Sequence, residues 1–174
     1  MRVIEAERLY LRHLSPEVDA EFILELLNDP AWIRNIGDKG VRTITDARWY
    51  IWSGAVEDYK KLGFGLYLVA LKESDTSIGI CGILKRDYLD DVDIGFAFLE
   101  KFRSKGYASE SAAAVMNYAR DALGINRIAA ITVPENAASI KVLERNGFHF
   151  EKIIKLPGNE SEINLFLCDF QQVA

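Results

Sequence analysis

The stretch RSKGYASES, residues 103–111, runs directly into AAAVMNYARDALG, and this junction limits what the chain can fold into more than any other feature. Ahead of it, VDIGFAFL alternates as a strand does, from Val92 to Leu99. Behind it, the alanine-rich run reads as a helix from about Ala108 to Leu123, closed by Gly124. One capping Ser, Thr, Asp or Asn is enough to start a helix. Here Arg103, Lys105 and the bare Gly106 crowd the first turn instead. The first N–H groups of a helix lack internal partners and carry the positive end of its dipole. Basic charge and a glycine that lets other groups approach the backbone turn such a start into a phosphate cradle, and the small Ala108 and Ser109 keep the space open. A solvated basic turn before an ordinary core helix is the alternative. Two other phosphate loops, G-x-x-x-x-G-K-[ST] and G-x-G-x-x-G after a strand, do not occur.

Periodicity and chain breakers place the other elements. RLYLRHL predicts a strand from Leu9 to Leu14. Ser15, with Pro16 at the first helical position, predicts a helix whose apolar stripe is Phe22, Ile23, Leu26 and Leu27 and which ends near Asn28. AWIRNIGDKGVR reads as a loop. A second helix starts after Thr45, carries Trp49, Tyr50, Trp52 and Tyr59, and stops at Gly63. Strands from Leu66 to Lys72 and from Ile78 to Lys85 flank the turn ESDTS, and a short strand covers Arg127 to Thr132. A helix capped by Asn136 and stopped by Gly147 precedes two last strands, Phe148 to Leu156 and Ile163 to Phe170. The order β-α-α-β-β-β-α-β-α-β-β is that of an α+β domain with a mixed sheet. With no repeat or linker, residues 1–174 are expected to form one domain.

A chain of 174 residues, 49% apolar and 27% charged, can bury a core without disulfides or metals. A net charge of −5 argues against a general nucleic-acid role. No apolar run reaches the ~18–20 residues of a membrane span, and MRVIEAERLYLR lacks the apolar core of a secretory signal. A cytoplasmic protein is the expectation. Cys81 and Cys168 sit in strand-like apolar runs as inert thiols, and with only His13 and His149 a Cys/His zinc cluster is not expected.

Three motifs in order carry a family resemblance. Arg103-x-x-Gly106-x-Ala108 resembles the [Q/R]-x-x-G-x-[G/A] element of the GNAT acyltransferases. VPENAASIKVLERNGF, about 28 residues later, resembles the second element of that superfamily. AERLYLRHLSPE is similar to the start of the branch that holds ribosomal-protein N-terminal acetyltransferases. The resemblance implies the GNAT fold, an α+β domain with a mostly antiparallel central sheet and about four flanking helices. It also implies an N-acetyltransferase that uses acetyl-CoA and an amine acceptor, either a protein N-terminus or a small molecule, as a monomer or homodimer. Position by position, backbone groups of Phe96, Ala97 and Phe98 would pair with the pantetheine arm. Arg103 and the backbone N–H groups of Ser104, Lys105, Gly106, Tyr107, Ala108 and Ser109 would hold the pyrophosphate. Asn136 would bond the cofactor near its pantetheine arm, or only cap its helix, and Arg145 could reach the adenosine 3′-phosphate.

Acetyl transfer to an amine needs a neutral amine, a polarised carbonyl and a protonated leaving thiolate. The tyrosine that many relatives carry as a general acid is Leu143 here, whereas Ser139 matches the serine of the ribosomal-protein branch and is the candidate thiolate partner, a helix-capping or packing serine being the alternative. Asp93 stands where relatives often carry a glutamate base, sharing a strand face with Gly95 and Ala97. Its alternative is an ion-paired or edge-exposed aspartate, with deprotonation left to water. Glu110, in the first helical turn, suits the dipole better than chemistry. Trp32, Arg34, Trp49 and Trp52 lie where the superfamily builds its acceptor wall, though aromatics at helical spacing also make core. The acidic excess suits a cationic amine or a basic peptide end. An acyl-CoA-binding sensor without turnover is the non-enzymatic alternative.

Overall fold

Strands β1 (Arg2–Glu5), β2 (Leu9–His13), β3 (Leu66–Leu71), β4 (Ser77–Leu84), β5 (Asp93–Phe98), β6 (Arg127–Thr132), β7 (His149–Lys155) and β8 (Glu162–Asp169) make one sheet in the order β1-β2-β3-β4-β5-β6-β8-β7. The structure, a computed structural model, describes residues 1–170. Every neighbouring pair is antiparallel except β5 and β6. Parallel neighbours need a crossover, and helix α5 (Tyr107–Asp121) supplies it. The other helices are α1 (Ala20–Leu27), α2 (Pro30–Asn35), α3 (Ile44–Ile51), α4 (Glu57–Leu62) and α6 (Ala137–Arg145). A π-helical turn, Trp52–Val56, joins α3 to α4 in one continuous rod.

Two cores sandwich the sheet. On one face α5 buries Ser111, Ala112, Val115, Met116 and Ala119, a three-to-four spacing, against Val69, Cys81, Ile83, Ile94 and Phe98. On the other, Ile23, Leu26 and Leu27 of α1 and Ala47 and Ile51 of α3 pack on Leu68, Ala70 and Ile80. The two sets of strand residues alternate, so each strand feeds both cores. Gly79 makes room for the first of these cores. A Cβ there would lie 2.5 Å from both the Ala97 carbonyl oxygen and the Phe98 ring.

Four expectations change. β1 is an added edge strand, too short and too charged for alternation to reveal. The first helix starts at Ala20, not Ser15, because the buried Asp19 carboxylate accepts from Ser15 N–H at 2.8 Å and from the Arg12 guanidinium at 2.7 and 2.8 Å, closing residues 15–19 as a turn. The stretch read as loop contains α2, capped by the Asp29 side chain on Ala31 N–H with Pro30 at its first position. The next helix is capped by Thr43, two residues before Thr45, in a reciprocal capping box with Asp46. Gly63 ends α4 as expected, in the left-handed conformation with φ 79°. No helix among the described residues is long and apolar enough to cross a membrane.

Candidate active site

β6 lies along β8 over its whole length, from Arg127↔Asp169 to Thr132↔Asn164. It meets β5 at a single pair, Asp93↔Ala129, fastened by Ala129 N–H donating to the Val92 carbonyl at 2.8 Å. Beyond that point the two strands part. The Val92 carbonyl faces β6, whereas Leu99 N–H donates to the Ile78 carbonyl of β4 at 3.1 Å. Alternation then directs the backbone groups of Phe96 and Phe98 into the gap and those of Ala97 toward β4. Apart from the Phe98 carbonyl, which accepts from Arg103 Nε at 2.9 Å, this strand edge has no neighbour in the gap and is a template for an added extended chain.

A cleft of about 670 Å³ occupies the gap. Phe96, Ala97, Phe98, Arg103, Ser104, Gly106, Tyr107, Ala108, Ser109, Asn136, Ser139 and Arg145 all line it, so the structure brings together most of the residues singled out in the sequence. Lys105 and Asp93 do not line it. Lys141 and Val142, which the sequence did not suggest, do.

The two helix starts at this cleft have different local chemistry. α5 begins at Gly106, φ 81°, with no side-chain cap on its first N–H groups. Two residues earlier Ser104 also has positive φ, 59°. Backbone paths with such left-handed residues gather successive N–H groups into anion-binding concavities. α6 begins at Asn136, whose Oδ1 accepts from Ser139 N–H at 3.2 Å. Exposed Lys141 and Arg145, one turn apart on α6, add cations to the cleft wall.

Long-range partners hold the cradle. The Arg103 guanidinium donates to Asp29 Oδ1 at 2.7 Å and to the Phe98 carbonyl at 2.9 Å, so its charge is already committed to α2 and β5 rather than free for an incoming phosphate. Burial works to raise the Asp29 carboxyl, but the Arg103 and Ala31 N–H bonds outweigh it and hold the group below its ordinary value. Glu110 accepts from both the backbone N–H and Nε of Arg8, each at 2.7 Å, so its role is a specific ion pair beyond a favourable place on the dipole. Asn146 Nδ2 reaches Ser109 Oγ at 3.3 Å and ties the end of α6 to the start of α5. Local pattern marks Asp29 only as the cap of α2 before Pro30, and nothing local gives Arg8, Asp29 or Asn146 its distant partner at the cradle.

Asp93 sits at the apex where β5 and β6 are still joined. It is 1% exposed, and Arg86 Nε donates to its two oxygens at 3.1 and 3.0 Å. Burial pushes its carboxyl up to about 6 against the pull of Arg86. The guanidinium, with a third of its side chain in solvent, is raised by the same contact. Burial works against the charge of both partners; for Arg86 the attraction of Asp93 outweighs it, and for Asp93 burial prevails. The structure therefore does not bring Asp93 to the cleft, and it supplies the ion-paired arrangement that was the alternative to a base.

The aromatic wall divides as well. Trp32 is buried and, with Arg34, lines the cleft from α2, beside Asn35 and Ile36. Trp49 and Trp52 lie outside it, 64% and 44% exposed, their rings 5.1 Å apart and tilted by 31° on the α3–α4 rod. Neither cysteine approaches the site. Both are buried and free, and burial pushes the Cys81 thiol up to about 12.

The mixed sheet thus splays at its one parallel pair, with a bare helix start in the gap. Residues 8–149 match the model of the acetyltransferase (GNAT) domain, and the chain belongs to that family. YnaD, an uncharacterized N-acetyltransferase of Bacillus subtilis, is 29% identical over 160 residues, 90% of each chain. An acetyltransferase of the GNAT family from Bacillus anthracis has the same fold with a TM-score of 0.78 and 30% identity, covering 95% of this chain and 97% of its own. RimL, a ribosomal L7/L12 alpha-N-protein acetyltransferase solved with coenzyme A, superposes with a TM-score of 0.81 at 20% identity, over 97% of this chain and 98% of that one.

Proposed function

We propose that this acetyltransferase moves the acetyl group of acetyl-CoA onto the α-amine of a peptide or protein N-terminus by direct attack. The observation that carries the reading is the cleft itself. One end is the uncapped start of α5, suited to a diphosphate, and it continues along the unpaired edge of β5, suited to an amide-bearing arm. RimL, its neighbour in fold, was solved with coenzyme A. Lys141 and Arg145 would meet the remaining phosphate.

The acceptor follows from charge. The lining includes Arg34, Arg103, Lys141 and Arg145 and no acidic side chain. A polyamine would find no carboxylate to hold its additional ammonium groups, whereas a peptide brings one amine and neutral amide groups. The net negative charge of the whole chain suggested a cationic acceptor; the cleft wall, without a carboxylate, favours an acceptor with a single amine over one with several.

Acetyl-CoA supplies an activated thioester. Attack by the amine nitrogen forms the C–N bond as the C–S bond breaks, and the amine proton leaves to water, since Asp93 is buried away from the cleft. Half-buried Ser139 lines the wall and would donate a hydrogen bond to the departing sulfur, whose proton finally comes from solvent. To test this reading, acetyl-CoA is supplied with N-terminal peptides, free amino acids and a polyamine, and thiol release is followed. Peptides should turn over fastest. Faster turnover of the polyamine would overturn the acceptor assignment, and tight CoA binding with no turnover on any amine would make the chain a sensor.

A further inference from the structure

We infer that Arg8 is a positioning residue for the phosphate cradle, and that this is what AERLYLR contributes to the site. The inference rests on acetyl-CoA binding at the start of α5. Arg8 stands in the turn between β1 and β2, 102 residues before its partner Glu110. Its Nε donates to Glu110 Oε2 and its backbone N–H to Oε1, both at 2.7 Å. Its Nη1 donates to the Lys105 carbonyl at 3.0 Å, and the guanidinium lies over the Tyr107 ring, 4.6 Å from its centre. A Cβ on Gly106 would meet Nη2 at 3.2 Å. One side chain thus touches Lys105, Tyr107 and Glu110 and closes off the space behind Gly106.

Each contact has a consequence for an anion in the cleft. Glu110 lies in the first turn of α5, where a carboxylate favours the empty helix but competes with a diphosphate for the same positive pole. Two bonds to Arg8 occupy both of its oxygens and neutralise it on the side away from the cleft. The bond to the Lys105 carbonyl acts on the backbone. In a planar trans peptide the C=O and the following N–H point in opposite directions. Holding the Lys105 carbonyl toward Arg8, which does not line the cleft, turns Gly106 N–H the other way, and Gly106 does line it. The peptide in question joins a stretch with positive φ at Ser104 and Gly106, a path that needs an external partner to stay fixed.

The test compares Arg8→Met, Glu110→Gln and the double variant, using acetyl-CoA and S-acetyl-pantetheine, a thioester without the diphosphate, and a peptide acceptor. Arg8→Met should raise KM and Kd for acetyl-CoA about 10-fold, the size expected for one unpaired charge acting through a partly solvated path. It should leave kcat within about threefold and the KM for S-acetyl-pantetheine unchanged. Adding Glu110→Gln should restore most of the lost affinity, because the stranded carboxylate is gone. A merely structural Arg8 predicts a lower Tm with unchanged Kd, or equal losses on both thioesters, and either result overturns the inference, as does a double variant no better than Arg8→Met. If Arg8→Met does not fold, Glu110→Gln alone decides: acetyl-CoA must bind at least as tightly as to the parent, and weaker binding sinks the idea. A parent protein that binds no CoA is a failure of the functional reading instead, seen before any variant is made.

Discussion

α5 and α6 both begin against the cleft, α5 at Gly106 with no side chain on its first N–H groups, α6 at Asn136 with a carboxamide on the N–H of Ser139. A cap of the second kind contributes about 1 kcal/mol. α5 forgoes that term, although serines stand at 104 and 109 on either side of its start. The contrast teaches where ligand binding and stability have been separated. α6 closes on itself and serves as a wall, while α5 stays open and takes its support from behind, through Arg8, Glu110 and the Arg103–Asp29 pair.

The sharpest way to break this contrast is Gly106→Glu. It puts a side chain on a left-handed backbone position with its Cβ 3.2 Å from Arg8 Nη2, where the new carboxylate competes with Glu110 for that guanidinium. It should weaken acetyl-CoA binding about 100-fold by calorimetry, the combined result of backbone strain and a displaced Arg8. Binding as tight as the parent would mean that the bare start of α5 is not the cradle. Ser139→Ala comes next. Losing one hydrogen bond to a developing thiolate should lower kcat about 5–150-fold with little change in KM for acetyl-CoA, and a kcat within twofold would reduce Ser139 to a wall residue.

Asn136→Ala tests the capped helix. Loss of the cap should cost about 1 kcal/mol in denaturant unfolding. The same change should weaken acetyl-CoA binding only about 3–10-fold, the scale of one hydrogen bond, and a fall as large as that for Gly106→Glu would erase the distinction between the two helix starts. The smallest effect belongs to the joined apex. The folded-state value of Asp93, about 6, lies above its ordinary 3.8. Its contribution to stability is therefore full below pH 3.8 and lost as pH rises through about 6. Between pH 7.5 and 5.5 the parent should gain about 0.8 kcal/mol from this group, and Asp93→Asn should lack that slope. Parallel pH profiles for the two proteins would show that the carboxyl does not titrate there. An Asp93→Asn enzyme with kcat down by ~100-fold or more and its acidic limb gone would return Asp93 to the role of base.

Much of this site was legible from local pattern. Strand alternation located β5, the alanine run located α5, and the glycine at 106 and asparagine at 136 marked where two helices begin. These features depend on neighbours within four residues, and backbone geometry reads them the same way in any fold. The start of α1 was missed for the opposite reason. Ser15-Pro16 is a sound helix signal, but Asp19 met Arg12 across a turn, and a buried bidentate ion pair outweighed a cap.

By itself the sequence determined the order of elements, the two helix starts and the family motifs, because each is a short-range demand of backbone and side chain. Which charge meets which was left to the tertiary structure. The chain has 21 basic and 26 acidic residues, and local spacing does not say that Arg8 should take Glu110, that Arg103 should turn to Asp29, or that Asp93 should be sealed under Arg86. Those choices depend on which groups lose water together when the strands assemble. Desolvation makes an unpaired buried charge costly enough to select one partner from many. Burial likewise put the aspartate read as a base under Arg86, outside the cleft lining to which Ser139 and the start of α5 belong.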